Sequence, residues 1–201
     1  MKFYKALDSV KLKKYSEVDK NQFALTFYSK SGFKSSELFD KELKKKVSKF
    51  FADEKRSSLF LSKELTGLKG DFLVLRDFNK NKSEYKKYAW MKGLFANLDK
   101  YAVDNAVIYA DTCHLSKDDN FLFDLAKTAE KASYRYTDTN PNTKKELILK
   151  NVSLAVESAS AAQKRVVELG YNVGSGANTA RNLGDRPANH ATPAYIAKAV
   201  K

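Results

Sequence analysis

The sequence predicts an α/β fold: a mixed, mostly parallel sheet flanked by helices, followed by a long connector helix. Three observations carry that expectation. Gly70–Arg76 and Ala106–Ala110 are continuously apolar, as expected of strands buried on both faces. Strand-like and helix-like segments alternate through the first three quarters of the chain, the order that builds a layered sheet-and-helix domain. From Glu157 to about Leu183 an Ala/Ser-rich stretch reads as one helix leading out of that domain.

Taken in order, Gln22–Tyr28 is rich in β formers and is closed by Ser31-Gly32. Ser35 or Ser36 offers an N-cap for a helix in which Phe39, Leu43, Val47 and Phe50-Phe51 recur at helical spacing, to about Ala52. Ser58–Ser62 is a short apolar strand, and Gly70–Arg76 the clearest one. Ser83 caps a helix from Glu84 to about Tyr101, with Tyr88, Met91, Leu94-Phe95 and Leu98 on one face. After the strand Ala106–Ala110, Asp118 or Asp119 caps a helix carrying Phe121, Leu122, Leu125, Ala129 and Ala132. A turn-rich stretch through Asn140-Pro141-Asn142 leads to an expected strand at Glu146–Lys150. The long helix stops at Gly184, a polar turn surrounds Pro187, and Thr192-Pro193 opens a further helix. That last helix begins an apolar face with little chain left to cover it, so the sequence is expected to be the front part of a longer polypeptide.

With 43% apolar residues the chain can bury a core, and it contains no apolar run long enough to cross a membrane. Its amino terminus lacks the apolar region of a signal peptide. One cysteine, Cys113, excludes an internal disulfide framework and suits a reducing compartment, so a cytoplasmic location is expected. The 37 basic and 24 acidic residues give a net charge of +13, which favours encounter with phosphates or acidic surfaces. The lysines are spread from Lys2 to Lys201, and only Lys44-Lys45-Lys46 forms a tight run. That run has no interleaved aromatics on which bases could stack, so nucleic acid is the weaker expectation for a partner.

Motifs that carry chemistry are sparse. Gly174-Ser-Gly176 lacks the preceding strand and third glycine of a dinucleotide fingerprint, and is better read as allowing close helix packing. Cys113-His114 follows a strand end, but sequence neighbours on extended chain diverge, which argues against a catalytic dyad. The only other histidine is His190, so no histidine cluster for zinc is expected. Asp118-Asp119 fits an N-cap better than half a metal site, and Asp138 fits a turn. No catalytic, cofactor-binding or metal-ligating residue is therefore assigned from the residues themselves.

One resemblance is specific. Ala180, Arg181, Leu183, Pro187, Asn189, Thr192, Pro193, Ile196 and Ala197 match the Ala-Arg-x-Leu-x-x-x-Pro-x-Asn-x-x-Thr-Pro-x-x-(Leu/Ile)-Ala pattern at the start of the catalytic domain of leucyl (cytosol) aminopeptidases. Ser133-Tyr-Arg-Tyr136 resembles that family's Ser-Tyr-(Arg/Lys)-Phe segment, late in the amino-terminal domain. The family usually has Asn where Asp185 stands. The resemblance implies a macro-domain-like amino-terminal α/β domain over 1–152, an interdomain connector helix over 153–185, and the truncated start of the catalytic domain over 186–201. It also implies a full-length hexameric metalloaminopeptidase. That enzyme would remove amino-terminal residues from peptides with two divalent ions (Zn or Mn) held in the catalytic domain. The family's Asn-Thr-Asp-Ala-Glu-Gly-Arg segment and metal ligands do not occur in 1–201, so the chain alone is expected to be inactive. The alternative is a stand-alone basic α/β module that binds nucleic acid or an acidic partner.

Overall fold

The computed structural model describes residues 4–29, 38–78, 83–118, 120–136 and 148–200. Six strands form one sheet: β1 (Ser9–Lys14), β2 (Phe23–Tyr28), β3 (Ser58–Leu61), β4 (Phe72–Arg76), β5 (Asn105–Tyr109) and β6 (Asn151–Val156). Their order across the sheet is β1-β6-β5-β2-β4-β3. Every neighbouring pair is parallel except β3 with β4, where the antiparallel strand closes one edge. The mixed, mostly parallel α/β fold expected from the sequence is the fold observed.

The continuous apolar strands are explained by cover on both faces. Side chains alternate along a strand, so Leu25 and Phe27 of β2 point to one core while Ala24 and Tyr28 point to the other. The first core collects Met91, Leu94 and Leu98 of α3 (Glu84–Lys100) and Phe121 and Leu125 of α4 (Phe121–Ala132). It also takes Val167 and Tyr171 of α5 (Ala161–Asp185). The opposite core is closed by Phe39 together with Val47 and Phe51, from α1 (Lys41–Phe50) and its C-cap. A single turn of helix, α2 (Lys63–Thr66), follows β3, and α6 (Pro193–Val200) ends the chain.

Four local expectations are corrected. The strand expected at Glu146–Lys150 forms instead at Asn151–Val156, where Val152 and Leu154 face one core and Ala155 the other. Polar Asn151 and Ser153 hid its register, while Ile148 is exposed; residues 146 and 147 lie outside the described residues. β1 was not expected at all, because lysines interrupt it. Val10 and Leu12 are buried and Lys11 is exposed, the period-two signature of an edge strand. α1 starts at Lys41, capped by the Asp40 carboxylate, which accepts from Leu43 N–H at 2.7 Å. The serines at 35 and 36 and the turn at 31–32 lie outside the described residues. α5 begins only after Ser160, whose hydroxyl accepts from Gln163 N–H while the Gln163 side chain accepts from Ser160 N–H.

α5 is also more than a connector leading outward. It packs on α4, at a distance set by glycine. A Cβ on Gly170 would stand 2.4 Å from the Phe123 carbonyl oxygen, and one on Gly174 would stand 2.9 Å from the Lys127 carbonyl oxygen. Close helix packing is thus the role of Gly174, as read from the sequence. Gly176 has nothing within 4 Å of a built Cβ and takes no part in it.

Candidate functional site

The residues that tie this chain together over the longest sequence distances meet where the amino-terminal segment, α4 and α5 converge. Glu130 of α4 is fully buried, and its carboxylate accepts from Ala6 N–H at 2.6 Å and Leu7 N–H at 2.9 Å. Asn178 of α5 donates to the Glu130 carbonyl at 2.8 Å and to its carboxylate at 3.2 Å. Burial pushes the Glu130 carboxyl above its ordinary pKa, against the opposing pull of those backbone and amide donors. Ser175 donates to the Tyr4 carbonyl at 2.7 Å, Thr179 accepts from Tyr4 N–H at 2.9 Å, and Tyr171 donates to the Leu7 carbonyl at 2.7 Å. Burial raises the Tyr171 phenol to about 12, so it serves as a donor at any ordinary pH. The amino-terminal strap is clasped from both helices.

The end of α5 carries a second contact. Tyr134, just beyond α4, donates its hydroxyl to the Asp185 carboxylate at 2.8 Å. The Arg181 guanidinium lies 4.5 Å from the Tyr134 ring centre and donates to the Lys131 carbonyl at 3.2 Å. Burial, then the neighbouring Asp185 charge, raises the Tyr134 phenol well above its ordinary pKa. The two segments that carry the family resemblance therefore touch. Beyond them the Thr192 hydroxyl accepts from Tyr195 N–H at 3.2 Å, the cap expected of Thr192-Pro193. α6 leaves Tyr195 and Ile196 partly exposed, with the Arg186 guanidinium 4.9 Å from the Tyr195 ring centre.

Of the residues singled out in the sequence, Cys113 and His114 are joined by one that was not. Asp77, just after β4, accepts from the Cys113 thiol at 2.9 Å and from His114 Nδ1 at 2.8 Å. Asp77 was missed because 36 residues separate it from Cys113. The available signal was position: both residues follow the carboxyl ends of parallel strands, where α/β folds gather polar groups. Asp118 does not cap α4 but pairs with the buried ammonium of Lys87 at 3.2 Å, which also meets Glu84 and Asp124. A backbone hydrogen bond from Asn120 and the Lys87 charge hold the Asp118 carboxyl below its ordinary pKa. Burial lowers the Lys87 pKa, but its carboxylate partners outweigh that and leave it raised. Residues 119 and 138 lie outside the described residues. In the Lys44-Lys45-Lys46 run, Lys46 pairs with Glu42 at 3.0 Å on the solvent side of α1.

A pair of divalent ions, as the resemblance implies for the whole enzyme, needs several carboxylates able to bridge them. Among the described residues the metal-capable group is Asp77, Cys113 and His114, one carboxylate with a thiol and an imidazole. That set does not fit a two-metal centre, and no catalytic step is derived from it.

The strand order and the helix-covered, mostly parallel sheet define a macrodomain-like α/β fold. A macrodomain of Oceanobacillus iheyensis with MES bound superposes with a TM-score of 0.56 at 8% identity, over 81% of this chain and 89% of that one. The macro domain of ganglioside induced differentiation associated protein 2 gives 0.54 at 11%, over 83% and 86%. A mutant of tomato leucine aminopeptidase superposes further, with a TM-score of 0.68 at 16% identity, over 96% of this chain and 41% of that one. These likenesses concern the fold. In sequence, the chain is 35% identical over 91 residues to a probable cytosol aminopeptidase of Acinetobacter baumannii, covering 45% of this chain and 18% of that protein. It is 34% identical over 76 residues to the corresponding protein of Nitrosococcus oceani, covering 36% and 15%. No protein-family model matches the chain. The chain is thus similar in sequence to cytosol aminopeptidases over part of its length, and it spans less than a fifth of the length of the curated relatives it matches.

Proposed function

We propose that this chain is the amino-terminal, non-catalytic portion of a metal-dependent leucyl aminopeptidase. One observation carries the reading. The superposition on leucine aminopeptidase takes in 96% of the chain, against 81% for the bacterial macrodomain, so the likeness continues beyond the shared α/β unit. In this reading the amino-terminal domain, expected over 1–152, runs on to Val156, because β6 belongs to the sheet. α5 to Asp185 is the connector, and 186–201 opens the catalytic domain. The Tyr134–Asp185 contact supports this reading by holding the end of the connector against the residues that follow α4. The full-length protein is proposed to be a cytoplasmic hexamer that hydrolyses amino-terminal residues from peptides, with two zinc or manganese ions in the catalytic domain. Tyr195 and Ile196 of α6 supply partly exposed apolar surface for the remainder of that domain to cover.

The test is direct. The purified 201-residue chain, assayed with leucyl-anilide and added Zn²⁺ or Mn²⁺, is expected to show no hydrolysis above the blank. Chelator-sensitive turnover by the chain alone would overturn its non-catalytic assignment.

A second reading rests on the charge of +13: a basic module that binds nucleic acid. It predicts duplex affinity that falls steeply with salt. The absence of salt-dependent binding removes it.

A further inference from the structure

We infer that Asp77, Cys113 and His114 form a binding site for a single borderline-soft divalent cation, of which Zn²⁺ is the best match. The site lies at the carboxyl edge of the sheet and does not depend on the aminopeptidase reading. β5 and β4 are not neighbours, since β2 runs between them. The chain after β5 crosses the end of β2, pinned by Thr112 Oγ1, which accepts from Phe27 N–H at 3.1 Å and donates to the Tyr109 carbonyl at 2.6 Å. The chain after β4 is pinned to the same strand end by Asp77 N–H, which donates to the Tyr28 carbonyl at 2.8 Å. Two segments from different strands are thus held facing each other, each bringing ligand-type side chains.

The cysteine sulfur, one imidazole nitrogen and one carboxylate oxygen all lie within 4.8 Å of one another. Around tetrahedral zinc, bond lengths of about 2.0–2.3 Å place ligand atoms about 3.5 Å apart, so the group needs only a small adjustment. The carboxylate is already oriented by backbone donors: Phe78 N–H reaches Oδ1 and His114 N–H reaches Oδ2, each at 2.8 Å. Such outer contacts commonly fix a ligating group. The remaining bonds to Asp77 come from the thiol and the imidazole, the two donors a cation would displace or reorient. Nδ1 is the His114 nitrogen that faces Asp77, at 2.8 Å, and would take the ion, leaving the ring proton on Nε2 at the far side of the imidazole. A thiolate with an imidazole selects zinc-like ions over magnesium or calcium. Binding releases the thiol proton to solvent. Three protein ligands leave a fourth position for water.

The chain has one cysteine, so a thiolate–metal signal can arise from Cys113 alone. The metal-stripped 201-residue chain would be titrated with Co²⁺ and read in the near ultraviolet and visible. The expected result is a thiolate-to-cobalt charge-transfer band that saturates at one equivalent, is bleached by Zn²⁺ and is indifferent to Mg²⁺. Asp77→Asn and His114→Gln, with folding checked by far-ultraviolet circular dichroism, should each weaken Co²⁺ binding by about tenfold or more. Absence of the band in the unaltered chain overturns the site, with no variant needed. A band whose affinity is unchanged in both folded variants overturns the Asp77 and His114 assignments.

Discussion

At the residue scale, Glu130 is the most exposed to test because so much converges on it. Removing its side chain leaves Ala6 and Leu7 N–H without that acceptor and opens a cavity. Glu130→Ala is expected to cost about 3 kcal/mol or more in denaturant unfolding. The pH dependence has a definite sign. The folded pKa is raised above 4.5, so the native state holds the Glu130 proton more tightly than the unfolded chain. Its contribution to stability is fully present below about 4.5 and is lost as pH rises through the folded value. Glu130→Gln cannot titrate, so that component of the falling slope should vanish from its stability–pH profile. An unchanged slope would contradict the assignment. Tyr134→Phe removes one partly buried bond to Asp185 and should cost about 1 kcal/mol.

At the scale of elements, the α4–α5 contact separates the glycines sharply. Gly170→Ala would drive a methyl group to 2.4 Å from backbone oxygen, which can be relieved only by moving a helix; a loss of about 2–4 kcal/mol is expected. Gly176→Ala, on the same helix with open space, should instead gain up to about 1 kcal/mol from helix propensity. Thermal unfolding of the two variants should move in opposite directions. The sequence made this interface only half legible, because composition shows that small residues are present but not which of them face a neighbour. The same limit runs through the strands. β2, β4 and β5 were readable because cover on both faces demands unbroken apolar runs. β1 was hidden because an edge strand tolerates Lys11 and Lys13 on its open side. Cys113 and His114 were visible as a pair, but their meaning lay in Asp77, and only the crossing of the sheet order brings it to them.

For the whole molecule, the resemblance segments around Tyr134 and Asp185 are separated in sequence yet meet in space, which makes α5 part of the α/β unit. The net charge of +13 adds nothing specific by itself. A titration of duplex DNA over a salt series should show no salt-dependent binding, the result that removes the basic-module reading. Whether this chain is one part of a longer peptidase can be read on the native protein. An antibody raised against the 201-residue chain would be used to follow the endogenous polypeptide through size-exclusion chromatography. The expected result is a polypeptide well above 22.7 kDa that co-elutes with chelator-sensitive leucyl aminopeptidase activity. A 22.7 kDa polypeptide eluting apart from any such activity would contradict it.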